Sequence, residues 1–442
     1  MRLTVSSYLR LSAPFALSSI TTPLLGAVGT AVAGHLGDMN YIGAVALGAV
    51  IFSTIYWLFN FLRLITSSYS SQALGRQNRT EINLSILRPG LIAAGVGLAM
   101  IPAGPWIFEL SMLILSPEKD IRELIRLYFD ILIWGAPFVL INFVIVGWLM
   151  GQMRFKAVMV LQVSLNLFNC LLCAVLVLSL EMGVAGVAGA GLISQGLGLA
   201  AGAALVRKRT RFDWRRELKL IFNKKAFSDL WSTNFYLLIR TACMLVMVNL
   251  FMARSAAIGG AALAANAILF QIQYVLGDFF DGLANASSVY SGLAVGRKDE
   301  ELFRLNLRLS ALCGLALAAG LSALWFGGGR FFISLFTNLP EVIAAAADYS
   351  IYITLFPLIS ALGIVYYGIF NGALKTRLVC WSMLLTLGLY LTADHILVPG
   401  LGNHGLWLSF IAFYVGRSGF LLLFVPSLLK KIGFAPLRPL RK

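Results

Sequence analysis

The chain has 442 residues, of which 59% are hydrophobic and 12% are charged, with a mean hydropathy of +0.84. Soluble domains carry about 25% charged residues, so this composition excludes a water-soluble enzyme. The net charge of +16 does not indicate nucleic-acid binding, because the basic residues fall in short loops between apolar runs, as membrane topology requires.

Long, nearly uncharged runs recur along the whole chain. A helix needs about 20 apolar residues to cross the hydrocarbon layer of a membrane. None of the runs alternates with the period of two that a β-strand would show. In chain order we predict twelve membrane-crossing helices, at 9–34, 41–73, 86–114, 122–151, 156–180, 184–206, 227–253, 258–295, 303–327, 345–373, 376–396 and 402–426.

The basic residues predict the orientation. Most of the 35 Lys and Arg residues fall in the termini and in the loops of one side, which the positive-inside rule places in the cytoplasm. We predict a multi-pass protein of the cell inner (plasma) membrane with both termini cytoplasmic. Arg63, Arg240 and Arg417 fall inside predicted crossings, and we expect Arg417 to extend towards the inner surface.

Cysteine and histidine give no sign of a metal or cofactor. The five cysteines lie in apolar runs and indicate no disulfide framework. Cys170 and Cys173 share a helix face, but no further ligands lie near them in the sequence, and the three histidines are not spaced like a zinc site. No H-E-x-x-H motif is present. We predict no metal, no cofactor and no enzymatic activity.

The chain resembles itself at an offset of 221 residues, half of its length. In this register, small and polar residues of the second crossing coincide with those of the eighth, most of them near the ends of the two crossings. The pairs are Ala44 with Ala265, Ala46 with Ala267, Ser67 with Ser288, Ser70 with Ser291, Ala73 with Ala294, and Gly75-Arg76 with Gly296-Arg297. Because each half holds an even number of crossings, both halves have the same orientation in the membrane.

We therefore predict an all-α integral membrane protein with twelve transmembrane helices in two six-helix lobes, related by a pseudo-two-fold axis along the membrane normal. The predicted divisions are an N-lobe at 1–206, a basic cytoplasmic linker at 207–225 and a C-lobe at 226–442. Two similar bundles suit alternating access, in which a shared cavity opens to each side in turn. This arrangement favours a transporter over a channel or an enzyme.

Several segments resemble the motifs of multidrug and toxic compound extrusion (MATE) transporters, in the family's order and spacing. They are residues 26–36 (GAVGTAVAGHL), 61–63 (FLR), 72–75 (QALG), 135–137 (GAP), 183–188 (GVAGVA) and 281–286 (DGLANA). A further segment at 401–407 (LGNHGLW) resembles the DinF-like subfamily. The resemblance implies twelve helices in two lobes and export of amphiphilic, often cationic compounds in exchange for protons or sodium ions.

The chain departs from the family at three membrane positions. Where the resemblance implies an aspartate in the first helix, this chain has Gly29; where it implies acids in the fifth and tenth helices, the chain has Cys173 and Tyr367. A carboxylate in the membrane suits cation coupling, because desolvation allows it to gain and lose a proton near neutral pH. Either the ion is therefore coupled elsewhere in the chain, or the coupling is weakened or absent.

The remaining acids inside a crossing are the candidates for ion coupling. Asp281 and Asp278 lie three residues apart and share a helix face. Either they titrate or attract a cation, or Asp281 forms a permanent ion pair with Arg240 or Arg63. The two arginines in turn either bind an anionic group of a substrate or lock helices together.

Neutral polar and aromatic side chains complete the candidate cavity. They are Asn60, Asn169, Asn234, Asn266, Tyr56 and Tyr274. Amides inside a crossing either bridge helices or contact cargo, and aromatic rings either stack on flat cations or simply pack. Pro23 removes a backbone hydrogen bond in the first helix and is the predicted hinge.

We expect a monomeric secondary transporter that exports amphiphilic, predominantly cationic drugs or toxins by antiport of H⁺ or Na⁺, with membrane lipid around it and no nucleic-acid partner. Two alternatives remain open. The first is a flippase for lipids or lipid-linked precursors, because the arginines inside the crossings are able to bind a phosphate headgroup. The second is a relative that has lost its ion coupling, which the missing acids suggest.

Overall fold

The computed structural model describes residues 3–14, 39–210, 212 and 214–435, and every regular element in these ranges is helical. The predicted hinge Pro23 and the substituted position Gly29 lie outside the described residues. Among the residues described, ten helices are long and apolar enough to cross a membrane. The predicted class, an all-α integral membrane protein, is confirmed.

The described residues of the first half form eight α-helices. The helices are α1 (5–14), α2 (Met39–Phe59), α3 (Phe61–Gly75), α4 (Arg79–Leu115), α5 (Lys119–Leu132), α6 (Ala136–Gly151), α7 (Phe155–Ala174) and α8 (Gly183–Arg207). A 3₁₀ turn at Ile133–Gly135 joins α5 to α6, and a π turn at Val175–Ser179 extends α7.

The second half begins after a short amphipathic helix in the basic linker. This helix is α9 (Trp214–Ile221), and Asn83 of α4 donates a 2.5 Å hydrogen bond to its buried Glu217. The helices that follow are α10 (Lys224–Ile258), α11 (Gly260–Arg297), α12 (Glu300–Ser334), α13 (Pro340–Asp348), α14 (Ser350–Gly372), α15 (Thr376–Leu423) and α16 (Val425–Ile432).

The predicted crossings from the second to the twelfth coincide with these helices, with breaks that the sequence pattern did not show. The second crossing is interrupted at Asn60, between α2 and α3. The last two form the continuous α15, which is kinked at Gly402 (φ 55°, ψ −127°), a conformation that glycine adopts without steric cost. The tenth crossing begins at 350 rather than 345, because Tyr349 separates α13 from α14.

The chain folds into two compact units whose limits differ from the predicted lobe divisions. One unit comprises Leu17–Leu230, and the other comprises Met1–Ala16 together with Trp231–Lys442. The start of the chain is therefore a part of the C-terminal unit. There the fully buried Tyr8 places its hydroxyl 3.0 Å from the carbonyl oxygen of Leu283 and 2.5 Å from Oγ of Ser287.

Both units are built around the same close approach of two helices. In the N-terminal unit, a Cβ at Gly147 of α6 would overlap the carbonyl oxygen of Arg63 in α3. In the C-terminal unit, a Cβ at Gly368 of α14 would overlap the carbonyl oxygen of Ala284 in α11. These residues correspond at the predicted offset of 221, and so do Gly151 and Gly372, which pack against the carbonyls of Ser67 and Ser288. Glycine allows backbones to approach in this way.

The loops that flank these helices repeat at the same offset. The N-caps Asn78 and Asp299 accept hydrogen bonds from the backbone N–H three residues later. The residues before them in the two halves have positive φ (Gln77, 54°; Lys298, 57°), and so have Met153 (58°) and Leu374 (55°). The two units therefore share a local backbone geometry, which supports the repeat read from the sequence.

Candidate functional site

The interior of the C-terminal unit holds two arginines over one tyrosine ring. The Cζ atom of Arg240, on α10, lies 4.3 Å from the centroid of the Tyr367 ring, on α14. The Cζ atom of Arg417, on α15, lies 5.9 Å from the same centroid. Both distances are within the range of cation–π attraction. The folded chain therefore brings together three polar side chains from three different helices.

Arg417 is held inside the bundle by its neighbour in the sequence. Ser418 accepts a 3.1 Å hydrogen bond from the backbone N–H of Gly363 and donates a 2.6 Å bond to the carbonyl of Ile359, which joins α15 to α14. Arg417 is only 5% exposed and also lies 5.9 Å from the ring of Tyr414. The expectation that Arg417 extends to the inner surface is wrong, because this packing directs the side chain into the unit.

The charges around Arg417 are those of Arg240 and Asp281, a residue of α11. Asp281 is exposed on the C-terminal unit and Asp278, one turn earlier, is half-buried. In the described part of the chain, neither Arg240 nor Arg417 has a hydrogen bond or an ion pair, and Nε of Arg240 is buried without a partner. The charges of Arg240, Arg417 and Asp281 therefore sum to a net positive charge.

Asn266 is a structural amide. It is fully buried and donates to Oγ of Ser255 (2.7 Å) and to Oδ1 of Asn403 (2.6 Å). Its own Oδ1 accepts from Asn403 (3.1 Å) and from the indole of Trp407 (2.8 Å). These bonds join α10, α11 and α15, so Asn266 bridges helices, which is one of the two roles considered for such amides.

The other predicted residues of the C-terminal unit lie apart from this network. Asn234 of α10 is buried, and in the described structure its Oδ1 has no hydrogen-bond partner. Tyr274 of α11 is 43% exposed, with its ring edge-on to Phe270 at 5.9 Å.

The described candidate residues of the N-terminal unit are spread over several helices. Tyr56 is half-buried with its ring 5.6 Å from Phe52, and Asn60 lies at the break between α2 and α3. Arg63 is half-buried on α3. Asn169 donates a 3.2 Å hydrogen bond to Ser194 and so bridges α7 and α8.

Two of the three positions where the resemblance implies an acid are described. Cys173 is buried in a small apolar cluster with Val177 and Ala190. Tyr367 is 6% exposed and lies beneath Arg240. At the tenth-helix position an aromatic ring therefore contacts a cationic side chain of the protein itself.

A second buried charge was missed by the sequence reasoning. The carboxylate of Asp394, on α15, is almost completely buried and pairs with Arg254 of α10 at 3.2 Å between Oδ2 and Nη2. Asp394 falls inside the predicted crossing 376–396, and an acid in such a segment requires a partner. Applied to the sequence, this requirement would have identified Asp394 as a candidate buried charge.

Comparison with known proteins agrees with this architecture. The family model described as MatE matches twice, over residues 14–175 and 237–393, more than half of the chain. The chain is 31% identical over 415 residues to the DNA damage-inducible protein F of Escherichia coli (strain K12), covering 92% of this chain and 89% of that protein. It is 24% identical over 425 residues to a probable multidrug resistance protein NorM of Idiomarina loihiensis, covering 91% and 90%.

A solved structure confirms the fold. The crystal structure of a MATE protein in the bent conformation superimposes with a TM-score of 0.85 at 18% identity, covering 96% of this chain and 95% of that one. The two family matches, one in each half, parallel the repeated glycine contacts of the two units. The chain belongs to the MATE family, is similar to DinF within it, and is a membrane transporter rather than an enzyme.

Proposed function

We propose that this protein exports amphiphilic compounds by alternating access, in exchange for protons or sodium ions. The observation that carries the proposal is the repeated construction of the two units, each with the same glycine-mediated helix contact at an offset of 221 residues. Two bundles of one design are what a transporter needs in order to expose a binding site first to one side and then to the other. The multidrug resistance relatives support a drug or toxin as cargo.

The ion-coupling residues in this proposal are Asp281 and Asp278 of α11. The described family acid positions hold Cys173 and Tyr367, neither of which can replace a carboxylate near neutral pH. Asp281 is exposed on its unit and acts electrostatically on Arg417. Binding of an ion at Asp281 therefore changes the charge balance of the arginine cluster.

The proposed orientation rests on the basic loops, and the proposed assembly state rests on the two units of the chain. We place the protein in the inner (plasma) membrane with both termini in the cytoplasm, because most Lys and Arg residues fall on that side. The proposed working unit is the monomer, because one chain supplies both bundles.

Efflux from proteoliposomes tests the coupling. Purified protein is reconstituted with ethidium as a cationic probe or 1-anilinonaphthalene-8-sulfonate as an anionic probe, under a proton gradient or a sodium gradient alone. We expect Asp281→Asn to reduce gradient-driven efflux about tenfold or more, the effect of losing a charged group that binds an ion. The matched control is Asp130→Asn, which removes an exposed carboxylate paired with Arg126 at 3.8 Å.

Two results would contradict the proposal. Efflux of the Asp281→Asn variant at the parent rate under both gradients would remove Asp281 from ion coupling. Absence of gradient-driven flux of either probe through the folded parent protein would contradict the exporter itself.

A second candidate is a flippase for lipids or lipid-linked precursors. The observation that favours it is the pair of arginines that meet over the Tyr367 ring, since a phosphate headgroup is a common ligand of arginine. Headgroup accessibility to dithionite in vesicles with labelled phospholipid separates the two functions, because only a flippase moves the label between leaflets.

A further inference from the structure

Within the part of the chain that the structure describes, no ion pair balances the two arginines of the C-terminal unit. Arg417 is 5% exposed and Arg240 is half-buried, and the described residues give neither of them a hydrogen bond or an ion pair. A buried charge without a partner is strongly destabilising, and charges inside membrane segments are normally paired or functional. Among the described acidic groups, the carboxylate of Asp281 acts on Arg417, which also meets the positive charge of Arg240.

The surrounding side chains hold the guanidinium groups but do not neutralise them. Tyr367 and Tyr414 contribute ring faces at 4.3 to 5.9 Å, and the hydroxyl of Tyr414 accepts a 3.3 Å hydrogen bond from Gln273. Aromatic faces orient a guanidinium plane and leave its N–H groups free to bind an anion in the fork geometry. The arrangement is that of a preformed anion receptor.

The geometry points to an anion-binding site formed by Arg240 and Arg417 over Tyr367, which takes the phosphate, sulfonate or carboxylate group of an amphiphilic molecule. This inference deepens the proposed function and rests on it only for the statement that the bound molecule is cargo. It assigns a charge to that cargo: the C-terminal unit selects an anionic group, where the family resemblance implied compounds that are often cationic.

Replacing Asp281 also tests the inference, because its expected effect on anion affinity is not the loss expected for either arginine. Its carboxylate competes with an incoming anion for the same arginines. Neutralising Asp281 should therefore leave anion affinity unchanged or raise it, while neutralising either arginine should lower it. If these three residues only maintained the fold, replacing any of them would lower the affinity for the anion.

The experiment measures equilibrium binding of radiolabelled dodecyl phosphate to the full-length protein in phosphatidylcholine nanodiscs, without any ion gradient. We expect Arg240→Gln and Arg417→Gln each to weaken binding about tenfold or more, the effect of losing one charge-assisted hydrogen-bonding partner. Asp281→Asn should bind at least as tightly as the parent. Arg308→Gln, an exposed arginine of α12 in the same unit, should leave binding unchanged.

The results that overturn the inference are specific. Parental affinity in both Arg240→Gln and Arg417→Gln, or an equal loss in Arg308→Gln, would show that the probe binds elsewhere. Because Arg417 is buried, thermal unfolding is recorded for each variant. If Arg417→Gln does not fold, the half-buried Arg240→Gln decides the question.

Two further arms identify the source of the anion and separate this inference from the proposed function. Competition by phosphatidylglycerol in the disc assigns a lipid headgroup, and lack of competition assigns an anionic amphiphile from solution. If the parent protein shows no efflux but binds the probe in an arginine-dependent way, the exporter is contradicted and the anion site is supported. Efflux without arginine-dependent binding would contradict the anion site alone.

Discussion

At the scale of the residue, Asn266 shows how one amide joins three helices. Its side chain uses both donors and its carbonyl oxygen in bonds to Ser255, Asn403 and Trp407. The sequence indicated that a polar residue lay inside the eighth crossing, but it left open whether the amide bound cargo or bridged helices. The partners lie 11 to 141 residues away in the sequence, so only the folded structure brings them together.

Replacing Asn266 by Ala should destabilise the C-terminal unit by about 1–3 kcal/mol, the cost of leaving a buried polar group unsatisfied. The indole N–H of Trp407 and the amide of Asn403 would both lose a partner. Thermal unfolding in detergent measures the change. The control is Asn249→Ala, which removes an exposed amide of α10 that bonds only to the backbone of its own helix; a loss as large as that of Asn266→Ala would contradict the bridging role.

For the charged residues, too, the sequence identified candidates but not the residues that lie next to them. The sequence identified Asp281 and Arg240 as candidates because charges inside apolar crossings are usually functional or paired. It did not place them near Tyr367 or Arg417, because the four residues lie on four helices. Their common location depends on how those helices pack, and helical periodicity does not specify partners between elements.

At the scale of the element, the contact between α11 and α14 depends on glycine. Gly368 packs so closely against the carbonyl of Ala284 that no other side chain fits, and Gly147 packs in the same way against Arg63. The offset of 221 residues was visible in the sequence through pairs such as Ser67 with Ser288. The repeated register coincides with this close approach of backbones, which the sequence did not reveal.

A Cβ at Gly368 should separate α11 from α14 and destabilise the protein by about 1–3 kcal/mol, the typical cost of overpacking. Gly368→Ala is compared with Gly388→Ala on α15, where a Cβ meets nothing within 4 Å. Alanine is favoured over glycine in a helix by up to about 1 kcal/mol, so the control should be as stable as the parent or slightly more stable. Thermal unfolding that falls equally in both variants would contradict the packing argument.

At the scale of the whole molecule, the two compact units do not correspond to two consecutive segments of the chain. The first residues belong with the C-terminal unit, and the continuous helix α10 passes from one unit to the other between Leu230 and Trp231. The predicted divisions at 206 and 226 followed the basic linker, which marks the midpoint of the repeat. Composition locates a linker but does not show which unit a terminal helix joins.

Tyr8 is the residue that fixes the start of the chain in the C-terminal unit. Tyr8→Ala should destabilise that unit by about 3–5 kcal/mol, as for other buried aromatic truncations, because the fully buried ring and its bonds to Leu283, Ser287 and Ser310 are lost. Hydrogen exchange should rise in α11 and α12. The same substitution at the adjacent Leu9, which is 45% exposed, should leave exchange unchanged; a rise confined to α3–α8 in the Tyr8 variant would contradict the assignment.

The sequence alone determined the membrane class, the crossings, the repeat and the family resemblance. These properties depend on local hydrophobicity and on residue order, which the chain displays directly. Only the tertiary structure determined that Arg240 and Arg417 meet over Tyr367, that Asn266 bridges three helices and that Tyr8 completes the C-terminal unit. These properties depend on contacts between residues far apart in the chain, and such contacts exist only once the helices have packed.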